Sequence, residues 1–251
     1  KKIISKIIHN FLTKPITYIG GFFINLFYKP KEREFDTSWK TARERIYNYG
    51  MDYWEKQLLN LGVEKLPIDV IEIGSGNGQW LITFAKFASK IVGIEPSDLI
   101  RNYSANKLKE YGFEQKVELK KGFAESIPYA NESFDLLFCS GVFMFVNQKK
   151  ALKEFNRVLR NGGKLILTVN GLGYFIMYLK NGMKFYSIEK TSYGIEGIIN
   201  TIIKWITGKE FGTSAVSISE IEKIMHENGF DIHDRRVWNQ ENLYALDHFG
   251  F

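Results

Sequence analysis

Val70-Ile71-Glu72-Ile73-Gly74-Ser75-Gly76-Asn77-Gly78-Gln79-Trp80 decides how this chain is read. Four apolar or acidic residues of a strand run into three alternating glycines, and an amphipathic stretch then begins. That order describes a buried parallel strand turning tightly into a helix around a nucleotide-like ligand. A dinucleotide fingerprint G-x-G-x-x-G would need its third glycine at position 79, where Gln79 stands. The glycines fall instead at 74, 76 and 78, so the loop has no pyrophosphate spacing to satisfy.

Outward from the loop, strand and helix patterns alternate. We expect a helix over 38–61, strands over 68–73, 90–95, 116–121, 134–139 and 164–170, and helices over 77–88, 97–111 and 148–160. A helix over 217–229 closes on Asn228-Gly229, and 230–238 with 242–249 read as a final strand pair. The fold class is therefore α/β: a Rossmann-like doubly wound sheet, mostly parallel, with a C-terminal antiparallel pair. Residues 1–35 form an N-terminal extension and 36–251 the main domain, with a helical lid inserted at about 171–215.

Composition narrows the class. The 251 residues suit one α/β domain with additions, and a single cysteine with four scattered histidines offers neither a disulfide nor metal-ligand spacing. We therefore assign no metal and a cytoplasmic setting. The net charge of +6 is unevenly spread. Residues 1–29 hold five lysines and no acid, and 171–215 hold five lysines against three glutamates, which leaves the remainder close to neutral. A nucleic-acid enzyme would spread Lys and Arg over its reaction face, so nucleic acid is not an expected partner.

In residues 1–14, Ile3, Ile4, Ile7, Ile8, Phe11 and Leu12 share one helical face and lysines the other. Residues 16–28 then run uncharged, too short to span a bilayer. This extension either caps the domain over the cofactor or lies in a membrane interface, peripheral to the inner face.

Several motifs, in order, resemble those of the class I S-adenosylmethionine (SAM)-dependent methyltransferases, small-molecule type, across residues 68–170 and again 217–249. The resemblance implies SAM as cofactor. It implies that Gly74, Ser75, Gly76 and Gly78 lie against the amino-acid part of SAM, with Glu72 accepting from loop amides and the ammonium. Base catalysis by Glu72 is the lesser reading. Ile91-Val92-Gly93-Ile94-Glu95-Pro96-Ser97 resembles the second strand of the family, which implies Glu95 on the ribose hydroxyls and Pro96 beside adenine. Gly122-Phe123-Ala124-Glu125 resembles the adenine-edge motif, with the Ala124 amide and the Glu125 carboxylate on the base. Ser140, at the end of the fourth strand, joins the cofactor set.

Related enzymes often carry a histidine shortly before an acid beyond that strand. Phe145 and Asn147 stand there instead, so no catalytic base is assigned. Asp135 reads as orienting a turn. Phe145, with Tyr174 and Tyr178 of the lid, is the candidate substrate contact. Ile195, Ile198, Ile199, Ile202, Ile203 and Ile206 recur at helical spacing near Trp205, which suits a lid over an apolar pocket or a homodimer contact. The expected activity is methyl transfer to an oxygen, less readily nitrogen or carbon, of a hydrophobic or membrane-associated small molecule. A SAM-binding accessory subunit without turnover is the alternative.

Overall fold

The structure, a computed structural model, describes residues 46–63, 65, 68–169, 171–184, 188–208, 214–215 and 217–233. The N-terminal extension, the start of the expected first helix and nearly all of the C-terminal strand pair lie outside these residues. The described part of that pair, Phe230–His233, is in no strand.

Helix α1 (Met51–Asn60) leads to β1 (Asp69–Ile73), α2 (Gln79–Phe84), β2 (Lys90–Ile94), α3 (Asp98–Glu110) and β3 (Val117–Lys120). Next come β4 (Phe134–Ser140), a 3-10 turn at Phe143–Phe145, α4 (Gln148–Val158) and β5 (Leu159–Thr168). The insertion forms α5 (Leu172–Lys184) and α6 (Ile188–Thr207), and α7 (Ile218–Glu227) follows. The strands lie in the order β3-β2-β1-β4-β5, and every pairing among them is parallel. β1 therefore sits centrally, and the chain reverses its direction of winding between β1 and β4. Ligands of doubly wound sheets bind beyond the carboxyl ends at this point.

The period-2 alternation of the strands divides the core between two faces. Ile71, Ile73, Val92, Ile94, Leu137 and Cys139 pack against Leu152, Phe155 and Val158 of α4 and Ile221 and Ile224 of α7. Val70, Ile91, Leu136 and Phe138 pack on the other side against Trp54 and Leu58 of α1, Trp80, Leu81 and Phe84 of α2, and Leu108 of α3. Each large apolar side chain so covered contributes roughly 1.5–3 kcal/mol. By alternation Glu72 shares the second face with Val70, in the middle of this apolar layer.

β5 begins five residues before its expected start. Phe134 pairs with Leu159 and Leu136 with Lys164, so Arg160–Gly163 bulge out of the ladder instead of preceding it. The bulge has a use. Arg160 donates to Asp135 at 2.7 Å and to Asp69 at 2.9 Å, and Asp135 also accepts from the Asp69 amide at 2.9 Å. This ties β1, β4 and β5 together at their amino edge, opposite the ligand edge. Burial opposes the charge of Asp135, yet Arg160 and that amide hold its carboxyl below the ordinary value.

A second tie organises the loop between β3 and β4. Arg157 of α4 donates to the Ile127 and Tyr129 carbonyls at 2.9 and 2.7 Å. Its partner Glu154 accepts from the Ile127 amide at 2.8 Å. The Arg157 hydrogen bond holds Glu154 below its ordinary value of 4.5. A depressed carboxylate contributes stability above its unfolded value and loses it as pH falls through the folded one. Glu154→Gln is expected to lower stability at neutral pH by about 1 kcal/mol. It should also flatten the loss of stability below about pH 4.5. Urea titrations at stepped pH measure both.

Among the described residues no helix is long and apolar enough to cross a membrane.

Candidate cofactor and acceptor site

The site begins with how the glycine loop is held. The Gly74 and Ser75 amides donate to the Ile94 carbonyl at 2.8 and 3.0 Å, which folds the loop across the end of β2. Gly74 and Gly78 have φ of 69° and 86°, in the left-handed region, and both are closely covered. A Cβ on Gly74 would lie 2.2 Å from Val142 Cγ2, and one on Gly78 2.3 Å from Ser104 Oγ. Only glycine meets both demands, conformation and close approach. The Ser75 side chain is fully buried, and its Oγ lies 2.9 Å from where a Gly93 Cβ would be. It turns under the loop toward the sheet, so Ser75 meets a ligand with its backbone at most.

Glu95, beyond the end of β2 and 7% exposed, holds two structural amides. One oxygen accepts from Gly76 N at 3.2 Å and the other from Ser97 N at 3.0 Å. An ionised carboxylate has about four acceptor positions, which leaves room for ligand hydroxyls. Arg101 donates to the Glu95 carbonyl at 2.8 Å and steadies the same corner. Pro96 is half-buried in the turn that follows.

Glu72 is 2% exposed, and its Oε2 has no hydrogen-bond partner. Burial first, and then the negative charge of Glu95, push its carboxyl well above the ordinary value. An orphaned buried carboxylate oxygen costs a kcal/mol or more unless a ligand supplies a donor. A buried acid without a donor beside a glycine cradle suits a cationic amino-acid group, which would favour its charged form.

Of the remaining predicted cofactor contacts, Ala124 is buried and Glu125 half-buried. Glu125 Oε1 accepts from the Asn147 amide at 2.7 Å, which joins the loop after β3 to the start of α4. Ser140 Oγ shares a hydrogen bond of 2.9 Å with Thr168 Oγ1, which also accepts from Gly141 N at 3.1 Å. The strand-4 and strand-5 ends are thus locked together.

On the acceptor side the aromatic run separates. Phe143 is fully buried in the core, whereas Phe145 is 45% exposed just beyond β4. Tyr174 and Tyr178, expected to meet substrate, lie in the cluster between α5 and α6. Both are buried, their rings 4.8 Å apart, and Tyr193 of α6 lies 5.0 Å from Tyr178. They form the interior of the α5–α6 hairpin, because its helices approach closely at Gly194 and Gly197 and need rings to fill the remaining gap. Burial pushes the Tyr193 hydroxyl up to about 12.

Sequence reasoning missed Tyr47. It precedes α1, is 8% exposed, and its hydroxyl donates to the Asn77 carbonyl inside the glycine loop. Its ring lies beside Tyr111 at 5.7 Å, with the Lys107 ammonium 4.8 Å away. Thirty residues separate donor and acceptor, and no local spacing signals such a contact.

The family model described as a methyltransferase domain matches residues 71–167. A protein of Campylobacter jejuni serotype O:2 named ubiquinone/menaquinone biosynthesis C-methyltransferase UbiE is 30% identical over 190 residues, covering 66% of this chain and 78% of the relative. The chain belongs to the class I SAM-dependent methyltransferases. A Bacillus subtilis methyltransferase, YcgJ, is 29% identical over 99 residues, only 39% of each chain. The crystal structure of YcgJ matches this methyltransferase with a TM-score of 0.54 at 19% identity, covering 80% of this chain and 77% of that one. This last likeness is one of fold. Membership makes the protein an enzyme with SAM as its cofactor. The orphaned Glu72 oxygen, the Gly74 cradle and the spare acceptor capacity of Glu95 fit that cofactor's amino-acid and ribose ends.

Two outcomes are expected. Tyr47→Phe should weaken SAM binding about three- to tenfold, the worth of one hydrogen bond, while the thermal midpoint moves little; calorimetric titration and a melt measure these. Because burial and then Glu95 raise the Glu72 carboxyl, and a bound cation favours its ionised form, SAM binding should release protons and tighten as pH rises. Titration in buffers of different ionisation enthalpy should detect that release, and Glu72→Gln should abolish it.

Proposed function

We propose that this methyltransferase places its methyl group on a ring carbon of a hydrophobic, quinone-like small molecule. The observation that carries the reading is the apolar character of the ligand edge. Phe123, Phe145 and Val169 each follow the carboxyl end of a strand, β3, β4 and β5, and each is exposed, at 57%, 45% and 37%. An edge so lined binds a flat apolar ring and keeps water away from it.

SAM, when bound, supplies an electrophilic methyl on a sulfonium, so the chain's own task is to align the acceptor and exclude solvent. The choice of atom follows from what stands beyond β4. Phe145 and Asn147 offer no base to strip a hydroxyl proton, which disfavours the oxygen acceptor expected from sequence. An electron-rich ring carbon needs no deprotonation before attack: its bond to the methyl would form as the sulfonium–methyl bond breaks to release S-adenosylhomocysteine, and the displaced ring proton would leave afterwards to solvent. The relatives named C-methyltransferases support the same choice. The asymmetry of lysines on residues 1–29 and 171–215 suits an acceptor that resides in a membrane.

The test is incubation of the full chain with SAM and short-chain quinols lacking a ring methyl. A mass gain of one methylene with a ring-methyl NMR signal is the expected result, and methoxy products alone would overturn the ring-carbon reading. Phe145→Ala is expected to raise the acceptor KM about tenfold or more and to leave SAM affinity unchanged.

A further inference from the structure

Beyond β4, the segment 141–147 is fastened to several parts of the site at once. The Gly141 amide donates to Thr168 Oγ1 at 3.1 Å, at the end of the strand from which the α5–α6 insertion departs. Val142 presses on the glycine loop, its Cγ2 2.2 Å from where a Gly74 Cβ would stand. Phe143 is fully buried in the main core. Met144 packs into the aromatic cluster of the insertion, and its Sδ accepts from the Tyr193 hydroxyl of α6 at 3.8 Å. The Asn147 amide donates to Glu125 at 2.7 Å. Between these anchors the Phe145 amide closes the turn on the Val142 carbonyl at 2.8 Å, while its ring stays 45% exposed.

α6 is held so that Tyr193 reaches a set point. A Cβ on Gly197 would fall 1.9 Å from Phe175 Cδ1, so the two helices of the insertion lie in close contact there. Thr201 Oγ1 accepts from the Ala215 amide at 2.8 Å, and Lys204 pairs with Glu220 of α7 at 2.8 Å, which fixes the rotation of α6 about its own axis. The Tyr193 ring lies among those of Tyr178, Phe175 and Tyr174, at 5.0, 5.7 and 6.3 Å. With its hydroxyl pushed up to about 12 by burial, Tyr193 remains a donor across neutral pH.

We propose that Tyr193 is a positioning residue: by donating to Met144 it sets the turn that carries Phe145, and through that ring the place of the acceptor. The inference rests on the reading of Phe145 as an acceptor contact. A methionine side chain has three rotatable bonds and a weakly accepting sulfur, so without a donor it would hold the turn loosely. Phe145 is its direct neighbour in a 3-10 turn of three residues. On the other side Val142 is closed on Gly74, so loss of the hydroxyl would be taken up at Met144 and Phe145 and not at the glycine loop.

The parent chain is to be compared with Tyr193→Phe, Met144→Leu and the double variant. The first keeps the ring and removes the donor; the second keeps the volume and removes the sulfur. Each should raise the KM of a short-chain quinol lacking a ring methyl several-fold, the worth of one hydrogen bond, with kcat, SAM affinity and the thermal midpoint little changed. The double variant should match either single one, because the pair acts as one contact. A structural role alone would lower the thermal midpoint and leave KM in place. Hydrogen exchange read by mass spectrometry needs no acceptor: in Tyr193→Phe the peptide carrying Phe145 should exchange several-fold faster, and the peptide over Gly74–Trp80 should not. Parental exchange at the turn, a parental KM in Tyr193→Phe where Phe145→Ala raises it, or additive effects in the double variant overturns the proposal. A parental KM in Phe145→Ala defeats the acceptor reading instead, and exchange at the turn then decides by itself whether Tyr193 positions it.

Discussion

The cofactor side of this protein depends on the glycine loop being drawn onto the end of β2. Two amides, of Gly74 and Ser75, share the Ile94 carbonyl, and a third, of Gly76, reaches the Glu95 carboxylate. With these bonds made, β1 can turn into α2 within five residues, and Glu72 and Glu95 come to face the same small space. Without them the left-handed conformations of Gly74 and Gly78 would have no compensation. The constraint also explains the steric record of the loop, because Val142 and Ser104 close on glycines that cannot carry a side chain.

Two buried carboxylates so near each other would be a liability in an inert core. Here they make a site whose electrostatics favour a cation. Glu95 accepts from the Gly76 and Ser97 amides. Glu72, lacking such partners, is driven toward its neutral form. The division of labour comes from position: Glu95 lies beyond its strand among free amides, while Glu72 lies within β1, where the amides already serve β2 and β4.

Away from the glycine loop, ion pairs hold the frame and apolar residues line the carboxyl edge. Arg160 with Asp69 and Asp135 closes the amino edge, and Arg157 with Glu154 shapes the loop that carries Ala124 and Glu125. The carboxyl edge is left to Phe123, Phe145 and Val169. Charge at one end and apolar surface at the other is an economical way to build a stable sheet with a hydrophobic ligand edge. The α5–α6 hairpin continues that apolar character outward.

Much of this was legible in one dimension. The five strands, the order of the helices, the glycine loop and the acids within β1 and just after β2 follow from hydrophobic period, turn chemistry and motif order, which are local properties. Asp135, read as orienting a turn, lies within β4 and accepts from the Asp69 amide and Arg160. The bulge at Arg160–Gly163 was not legible, because β5 could be extended backward only by pairing with β4. Nor were the separate fates of Phe143 and Phe145, two residues apart on a 3-10 turn, or the enclosure of Tyr174 and Tyr178, which requires α6 to fold back on α5. Tyr47 reaches Asn77 across thirty residues for the same reason. Sequence alone determined which residues form the elements and where the glycine loop turns a strand into a helix. Tertiary structure decided which polar groups are left without partners and which apolar faces without cover, because both depend on neighbours brought from distant parts of the chain.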